Sequence, residues 1–249
     1  MDLGIEGRAA LVLGASKGIG RAIATELAAE GARVAIASRS LGALDDLAGQ
    51  IGARAFAHDN ADLDGVPALL DAVTAALGPL DILVTNTGGP PARADPLTHP
   101  REEWEQAYRT LVLAPLALIE AVLPGMRERG WGRIVNVGSW TVREPSPNLM
   151  LSNSHRSATF AAFKTLAREV AADGVTLNTV LPGPIGTDRF YALQGSREAA
   201  EALARRDVPA GRLGTPEEMA AAVAFLCSQR AAFITGVGLL VDGGISRLV

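Results

Sequence analysis

An apolar run, Ala9 to Leu13, stops abruptly in a glycine-rich turn, Gly14-Ala15-Ser16-Lys17-Gly18-Ile19-Gly20. Beyond the turn Ile19, Ile23 and Leu27 recur every four residues, the period of a helix with one apolar face. Strand, glycine turn, helix is the build of a phosphate-binding βα unit. Gly14 allows the tight turn, Gly18 lets the backbone approach a pyrophosphate, and Gly20 lets the helix pack closely on the strand. The helix N-terminus then offers unpaired N–H groups and a partial positive charge to the anion.

The same alternation continues along the chain. Strands are expected at 9–13, 33–38, 53–57, 80–84, 133–138, 175–181 and 238–241, separated by helical patterns at 18–30, 41–50, 67–77, 101–129, 152–172 and 216–227. Thr98 is the expected N-cap of the long 101–129 helix, and Pro115 and Pro124 are expected to kink or shorten it. Thr215-Pro216-Glu217-Glu218 reads as a capping box with proline in the first turn. Apolar strands alternating with helices predict a parallel sheet covered on both faces. With right-handed crossovers this is a single-domain, Rossmann-type, doubly wound α/β fold of about seven strands spanning residues 1–249. The polar stretch 186–212 is where a substrate loop would sit.

Composition excludes several classes. A net charge of −4 argues against a nucleic-acid surface. The single cysteine, Cys227, permits no intrachain disulfide and lies in an apolar helical setting, as a buried thiol would. Asp2, Glu6 and Arg8 break up the N-terminus, which is no signal peptide. No run is expected to reach the ~20 apolar residues of a bilayer span. These features predict a reduced, cytoplasmic protein that needs no metal and no membrane.

The end of the second strand, Ser38-Arg39, carries no acid to hold a ribose 2′-hydroxyl; with Lys17 in the glycine turn, Arg39 suits a 2′-phosphate instead. The expected cofactor is therefore NADP rather than NAD.

The glycine spacing G-x-x-x-G-x-G, in Leu13-Gly14-Ala15-Ser16-Lys17-Gly18-Ile19-Gly20-Arg21, resembles the opening of the short-chain dehydrogenase/reductase family. Asn86-Thr87-Gly88, the loop Asn178-Thr179-Val180-Leu181-Pro182-Gly183-Pro184-Ile185-Gly186-Thr187, and the tail through Asp242-Gly243-Gly244 extend the resemblance from about Leu3 to Gly244. It is closest to the 3-oxoacyl-carrier-protein reductase-like branch. The resemblance implies a dinucleotide site built from Gly14, Ser16, Lys17, Gly18, Ile19, Gly20, Ser38, Arg39, Asp59, Asn60, Asn86, Gly88, Pro182, Gly183, Ile185 and Thr187. In it Asp59 contacts adenine, Asn86 supports the adenosine side, Ile185 meets the carboxamide, and Thr187 closes over the nicotinamide. It also implies a homotetramer through the long helix and the 152–172 helix, where Phe160, Ala161, Phe163 and Leu166 make an apolar stretch.

At the catalytic positions the chain departs from the family pattern of serine, tyrosine, lysine and asparagine. Ser139 matches the serine, whereas family spacing places Ser152 at the tyrosine, Arg156 at the lysine and Leu111 at the asparagine. No small realignment restores them: the tyrosines are Tyr108 and Tyr191, the lysines Lys17 and Lys164, and Lys164 lies roughly 12 Å along the helix from Arg156. Ser152 and Arg156 share one helix face. Arg156 keeps a charge and hydrogen-bonding capacity for a ribose, and it is no acid near neutrality. His155, Tyr108 and water are the candidate proton donors. Trp140, Phe190 and Tyr191 are expected to flank an apolar cleft.

Two readings follow. One is an NADP-dependent oxidoreductase acting on a carbonyl or alcohol, through Ser139, Ser152 and Arg156. The other is a cofactor-binding homologue without turnover, acting as a sensor or partner subunit. Non-redox chemistry on the same fold finds no base constellation in the sequence.

Overall fold

Every residue of strand β1 (Ala9–Leu13) is buried, and successive side chains leave the strand on opposite faces. Ala10 and Val12 pack in one hydrophobic cluster with Ile23 and Leu27 of helix α1 (Gly18–Ala29), while Ala9, Leu11 and Leu13 pack in a second. A strand that is apolar on both faces needs helices on both sides. The computed structural model, which describes residues 1–248, supplies them.

Strands β2 (Arg33–Ser38), β3 (Arg54–Ala57), β4 (Ile82–Thr85), β5 (Gly132–Val137), β6 (Val175–Pro182) and β7 (Gly238–Val241) join β1 in one parallel sheet of order β3-β2-β1-β4-β5-β6-β7. The helices between them are α2 (Asp45–Ile51), α3 (Val66–Leu77), α4 (Arg101–Tyr108), α5 (Ala114–Glu128), α6 (Met150–Val170), α7 (Asp188–Gln194), α8 (Arg197–Asp207) and α9 (Pro216–Leu226). Met219 and Val223 of α9 join the α1 cluster, and Val73 of α3, Ile119 of α5 and Phe163 of α6 join the other. The expected doubly wound sheet is the observed one. The capping box at Thr215 and Glu218 forms with both bonds in place. Buried Cys227 has its thiol pushed up to about 12 by desolvation.

Several local expectations need correction. Thr98 does not cap α4. Its hydroxyl donates to the Asp95 carbonyl in a short 3₁₀ turn, and Pro100 stands at the N-cap without a side-chain bond. The segment 186–212 is not only a loop: Thr187 and Ser196 accept from Phe190 N and Ala199 N, starting α7 and α8. Phe163 belongs to the core and offers nothing to a partner.

The prolines of the long helix also behave differently from expectation. Arg109–Leu113 form a π-helical turn, so that 101–128 is one continuous helical stretch. Pro115 has no N–H for the Leu111 carbonyl four residues back, and the wider turn makes room for its ring. The Thr159 hydroxyl of α6 donates to that carbonyl instead, at 2.5 Å. Pro124 sits inside α5 without ending it.

That stretch overturns the expectation about bilayer length. Arg101–Glu128 is 28 residues long with a window of mean hydropathy 1.5, enough by length and composition to cross a membrane. Leu118, Ile119, Val122 and Met126 instead pack in the protein core, and Leu113, Leu116 and Leu123 are half-buried on its remaining surface. The high hydropathy arises because one helix carries both a core face and a second apolar face.

Thr159→Val keeps the shape of the side chain and strips the Leu111 carbonyl of its donor. The buried, unpaired carbonyl is expected to cost about 1–3 kcal/mol, read as a lower urea midpoint with an unchanged denaturant slope.

Candidate active site

The strand order reverses between β1 and β4, so their carboxyl ends open into the crevice where doubly wound sheets bind ligands. Gly14 (φ +61°) and Gly18 (φ +55°) take left-handed conformations. A Cβ on Gly20 would fall 2.2 Å from the Gly14 carbonyl oxygen and 2.6 Å from Asn86 Nδ2. Only glycine permits this approach, which Asn86 seals by donating from Nδ2 to Gly14 O at 3.1 Å. Asn60 extends the tie to the end of β3, donating from Nδ2 to Thr87 Oγ1 at 2.6 Å. Across the groove, a Cβ on Gly18 would meet the Thr187 methyl at 3.4 Å. The turn therefore leaves its backbone bare toward the opening, as a pyrophosphate requires. Ser16 and Ile19 stand half-buried in this turn.

At the far side of the crevice, Lys17 and Arg39 are exposed, and among the described residues neither is in an ion pair. Ser38 is half-buried and donates to the Ser40 carbonyl. Asp59 is exposed and accepts from the Ala61 N–H at 2.9 Å. Its neighbour His58 is buried, and desolvation pushes its pKa down despite Asp62 and Asp59. Arg39, Phe56, His58, Asp59 and Leu69 line a hollow of about 420 Å³ there.

The loop after β6 forms the other wall. Pro182 ends β6 in register with Val241, and a Cβ on Gly183 would fall 2.6 Å from the Asp242 Cα. Ile185 is buried and bridges to Gly214. Thr187 Oγ1 donates to Ile185 O at 3.4 Å and caps α7, aligning the loop along the crevice.

Ser139 follows β5. Its Oγ accepts from both Thr141 N (3.2 Å) and Thr141 Oγ1 (2.9 Å), which leaves its own hydrogen to donate. On α6, Arg156 points to the strand ends: Nη1 donates to Val137 O at 2.7 Å, Nη2 to Thr87 O at 3.1 Å, and Nε to Ser152 Oγ at 3.2 Å. One guanidinium thus clamps the ends of β4 and β5 and orders the Ser152 hydroxyl. Burial, with a contribution from Arg189, pulls it down to about 10, so it remains a cation at neutral pH.

The candidate proton donors lie elsewhere. His155 faces α4, its ring 5.5 Å from Trp104 and 6.1 Å from Tyr108, with Nδ1 2.7 Å from Leu151 O. It does not edge into the cleft. Tyr108 is exposed on the outside of α4. Tyr191 stands over Gly186, Lys164 lies beside Gly236, and Leu111 is buried. Trp140 and Phe190 are half-buried near the crevice.

A family model described as Enoyl-(Acyl carrier protein) reductase matches residues 14–246. The chain is 42% identical over 247 residues to the 3-oxoacyl-[acyl-carrier-protein] reductase FabG of Vibrio cholerae, covering 98% of this chain and 99% of that one. The chain belongs to the short-chain dehydrogenase/reductase family. A short chain dehydrogenase/reductase family protein superposes with a TM-score of 0.87 at 36% identity, covering 98% of both chains. The L-sorbose reductase of Gluconobacter frateurii, complexed with NADPH and L-sorbose, superposes with a TM-score of 0.92 at 32% identity over 100% of both chains.

Two residues escaped the sequence reading. Thr159 supports the π turn. Arg189, on α7, donates from Nη2 to Pro90 O at 3.0 Å and lies over Gly89. The only signal for Arg189 was Thr187-Asp188, a helix start within the stretch expected to be a loop.

Gly20→Ala and Gly88→Ala should separate a packed glycine from an open one. The first drives a methyl into backbone and is expected to cost about 1–3 kcal/mol. The second meets nothing within 4 Å and should leave the thermal midpoint nearly unchanged.

Proposed function

We propose that the protein is an NADP(H)-dependent oxidoreductase that reduces a carbonyl, or oxidises the corresponding alcohol, in the manner of the 3-oxoacyl reductases it resembles, with Ser139, Ser152 and Arg156 in place of the family's usual catalytic set. The observation that carries the reading is the Arg156 clamp, which sets a cation and the Ser152 hydroxyl at the end of β5, the strand that Ser139 follows, beside a glycine-lined crevice. The bare Gly14–Gly20 turn fits the pyrophosphate, Lys17 and Arg39 fit a 2′-phosphate, Asp59, Asn60 and Asn86 fit the adenosine side, and Gly88 leaves the backbone beside Thr87 open to the cofactor. Pro182, Gly183, Ile185 and Thr187 would hold the nicotinamide end. Bound NADPH would supply the hydride for the carbonyl carbon.

The chain's own residues handle the oxygen. Ser139 already accepts from Thr141, so its O–H is free to donate to the substrate oxygen. Ser152 accepts from Arg156 Nε, which polarises its O–H for the same task. Three of the five guanidinium N–H groups are engaged in the clamp, and the other two are available to ribose hydroxyls. The proton that completes the alcohol comes from water, with Ser152 as relay, because neither tyrosine takes the Ser152 position: Tyr108 is exposed on α4, and Tyr191 lies over Gly186 in the loop after β6.

That placement of Tyr108 and Tyr191 also motivates the competing reading, a cofactor-binding homologue without turnover, since loss of a positioned acid costs ~10²–10⁴ in rate. Ser152→Tyr with Arg156→Lys discriminates: reductase activity that appears only in the double variant would favour the dormant site. On the proposed mechanism the unmodified protein oxidises NADPH with a carbonyl substrate, and Ser139→Ala lowers kcat/KM by about 10²–10³. The rate is expected to be flat from about pH 6 to 9 and to fall as pH rises through about 10, where Arg156 loses its charge.

Half-buried Leu113, Leu116, Leu123, Phe160 and Leu166, with fully exposed Phe233, support the further proposal of a homotetramer. Light scattering at micromolar concentration should give four times the chain mass; a monomer would contradict it.

A further inference from the structure

Arg189 has no part in the mechanism above. Its Nη2 donates to the Pro90 carbonyl, and its guanidinium lies against Gly89, where a Cβ would fall 2.5 Å from Nη2 and 3.1 Å from Cζ. Arg156 reaches the same loop from α6 at the Thr87 carbonyl. Two guanidinium groups are thus anchored three residues apart and bracket Gly88 and Gly89. Gly88 is exposed, and a Cβ built on it meets nothing within 4 Å, so the loop is open between the two anchor points. Among the described residues neither arginine is in an ion pair, although Asp188 adjoins Arg189 in sequence. The two charges sense each other, since Arg189 helps to depress the pKa of Arg156. Like charges held together without a counter-ion are relieved by an anion placed between them.

We infer that Arg189, reached from the open side of this loop alongside the dinucleotide, receives an anionic oxygen group of the substrate, a carboxylate by preference, with Arg189 as the specificity-determining residue and Arg156 as the second charge. The inference rests on the oxidoreductase reading of the same crevice. A cofactor phosphate is the other source of anionic oxygen, but the dinucleotide already has the backbone N–H groups of the Gly14–Gly20 turn. Arg189 belongs instead to α7, which follows the loop after β6 on the wall opposite Lys17 and Arg39. Its planar fork matches a carboxylate, and its Nε and Nη1 carry no bond to the protein among the described residues.

The test is calorimetric titration of the full-length protein, with and without NADP⁺, using 5-oxohexanoate and 2-oxohexanoate against their uncharged methyl esters. The acids are expected to bind at least tenfold tighter than the esters. Arg189→Gln, a change at an exposed position, should abolish that preference while leaving NADP⁺ affinity within about twofold. Equal affinity for acid and ester, or no binding of either, overturns the inference. So does a tenfold loss of NADP⁺ affinity in Arg189→Gln, which would assign the cation to the cofactor. An Arg189-dependent preference for acids on a protein that binds no NADP⁺ supports the inference and defeats the oxidoreductase reading, so the two fail separately.

Discussion

The close approach of Gly14 and Gly20 to Asn86 is the constraint on which the crevice depends. Gly14 and Gly20 have no Cβ to fill the gap, and the turn between β1 and α1 can therefore sit against the end of β4. The amide of Asn86 bonds the turn, and Asn60 bonds the next residue, Thr87. Three strand ends are thereby fixed by two amide side chains and no ion pair. Such neutral ties make sense at an anion site, because a carboxylate in this position would repel the ligand.

Arg156 performs the equivalent service one step along the sheet. Taking a guanidinium out of water is costly, and its partners here are carbonyl dipoles rather than a counter-ion. The Val137 and Thr87 carbonyls, at and just beyond the carboxyl ends of β5 and β4, are left over by the sheet ladder and accept from Arg156 instead. The charge is therefore positioned without being neutralised. This differs from Arg133, also buried, which is spent on the carbonyls of Ser228, Gly132 and Gly174 far from any opening. The two arginines show the same chemistry used once for structure and once to leave charge facing a cleft.

Much of the fold was legible because strands with apolar residues on both faces stand out from helices with period 3.6. β1, β2 and β7 fall where the apolar runs predict them. What stayed hidden involves partners distant in sequence. The consequence of Pro115 depends on a π turn whose free carbonyl is met by Thr159, and nothing near Pro115 announces that hydroxyl. The direction of His155 was open on helical spacing alone, and it was settled by Trp104 and Tyr108 packing on that side of α6. Glycine and asparagine positions of the crevice were readable as contiguous motifs. Arg189 was not, because its role comes from contact with Gly89 and Pro90, about a hundred residues earlier.

The account turns on whether the crevice binds a dinucleotide with Arg156 as its clamp. The most direct measurement is calorimetric titration of the purified, unmodified protein with NADPH and with NADH. The account predicts saturable binding of NADPH, at least tenfold tighter than NADH because of Lys17 and Arg39. Absence of binding by either, in a protein that is folded by its thermal transition, would contradict it.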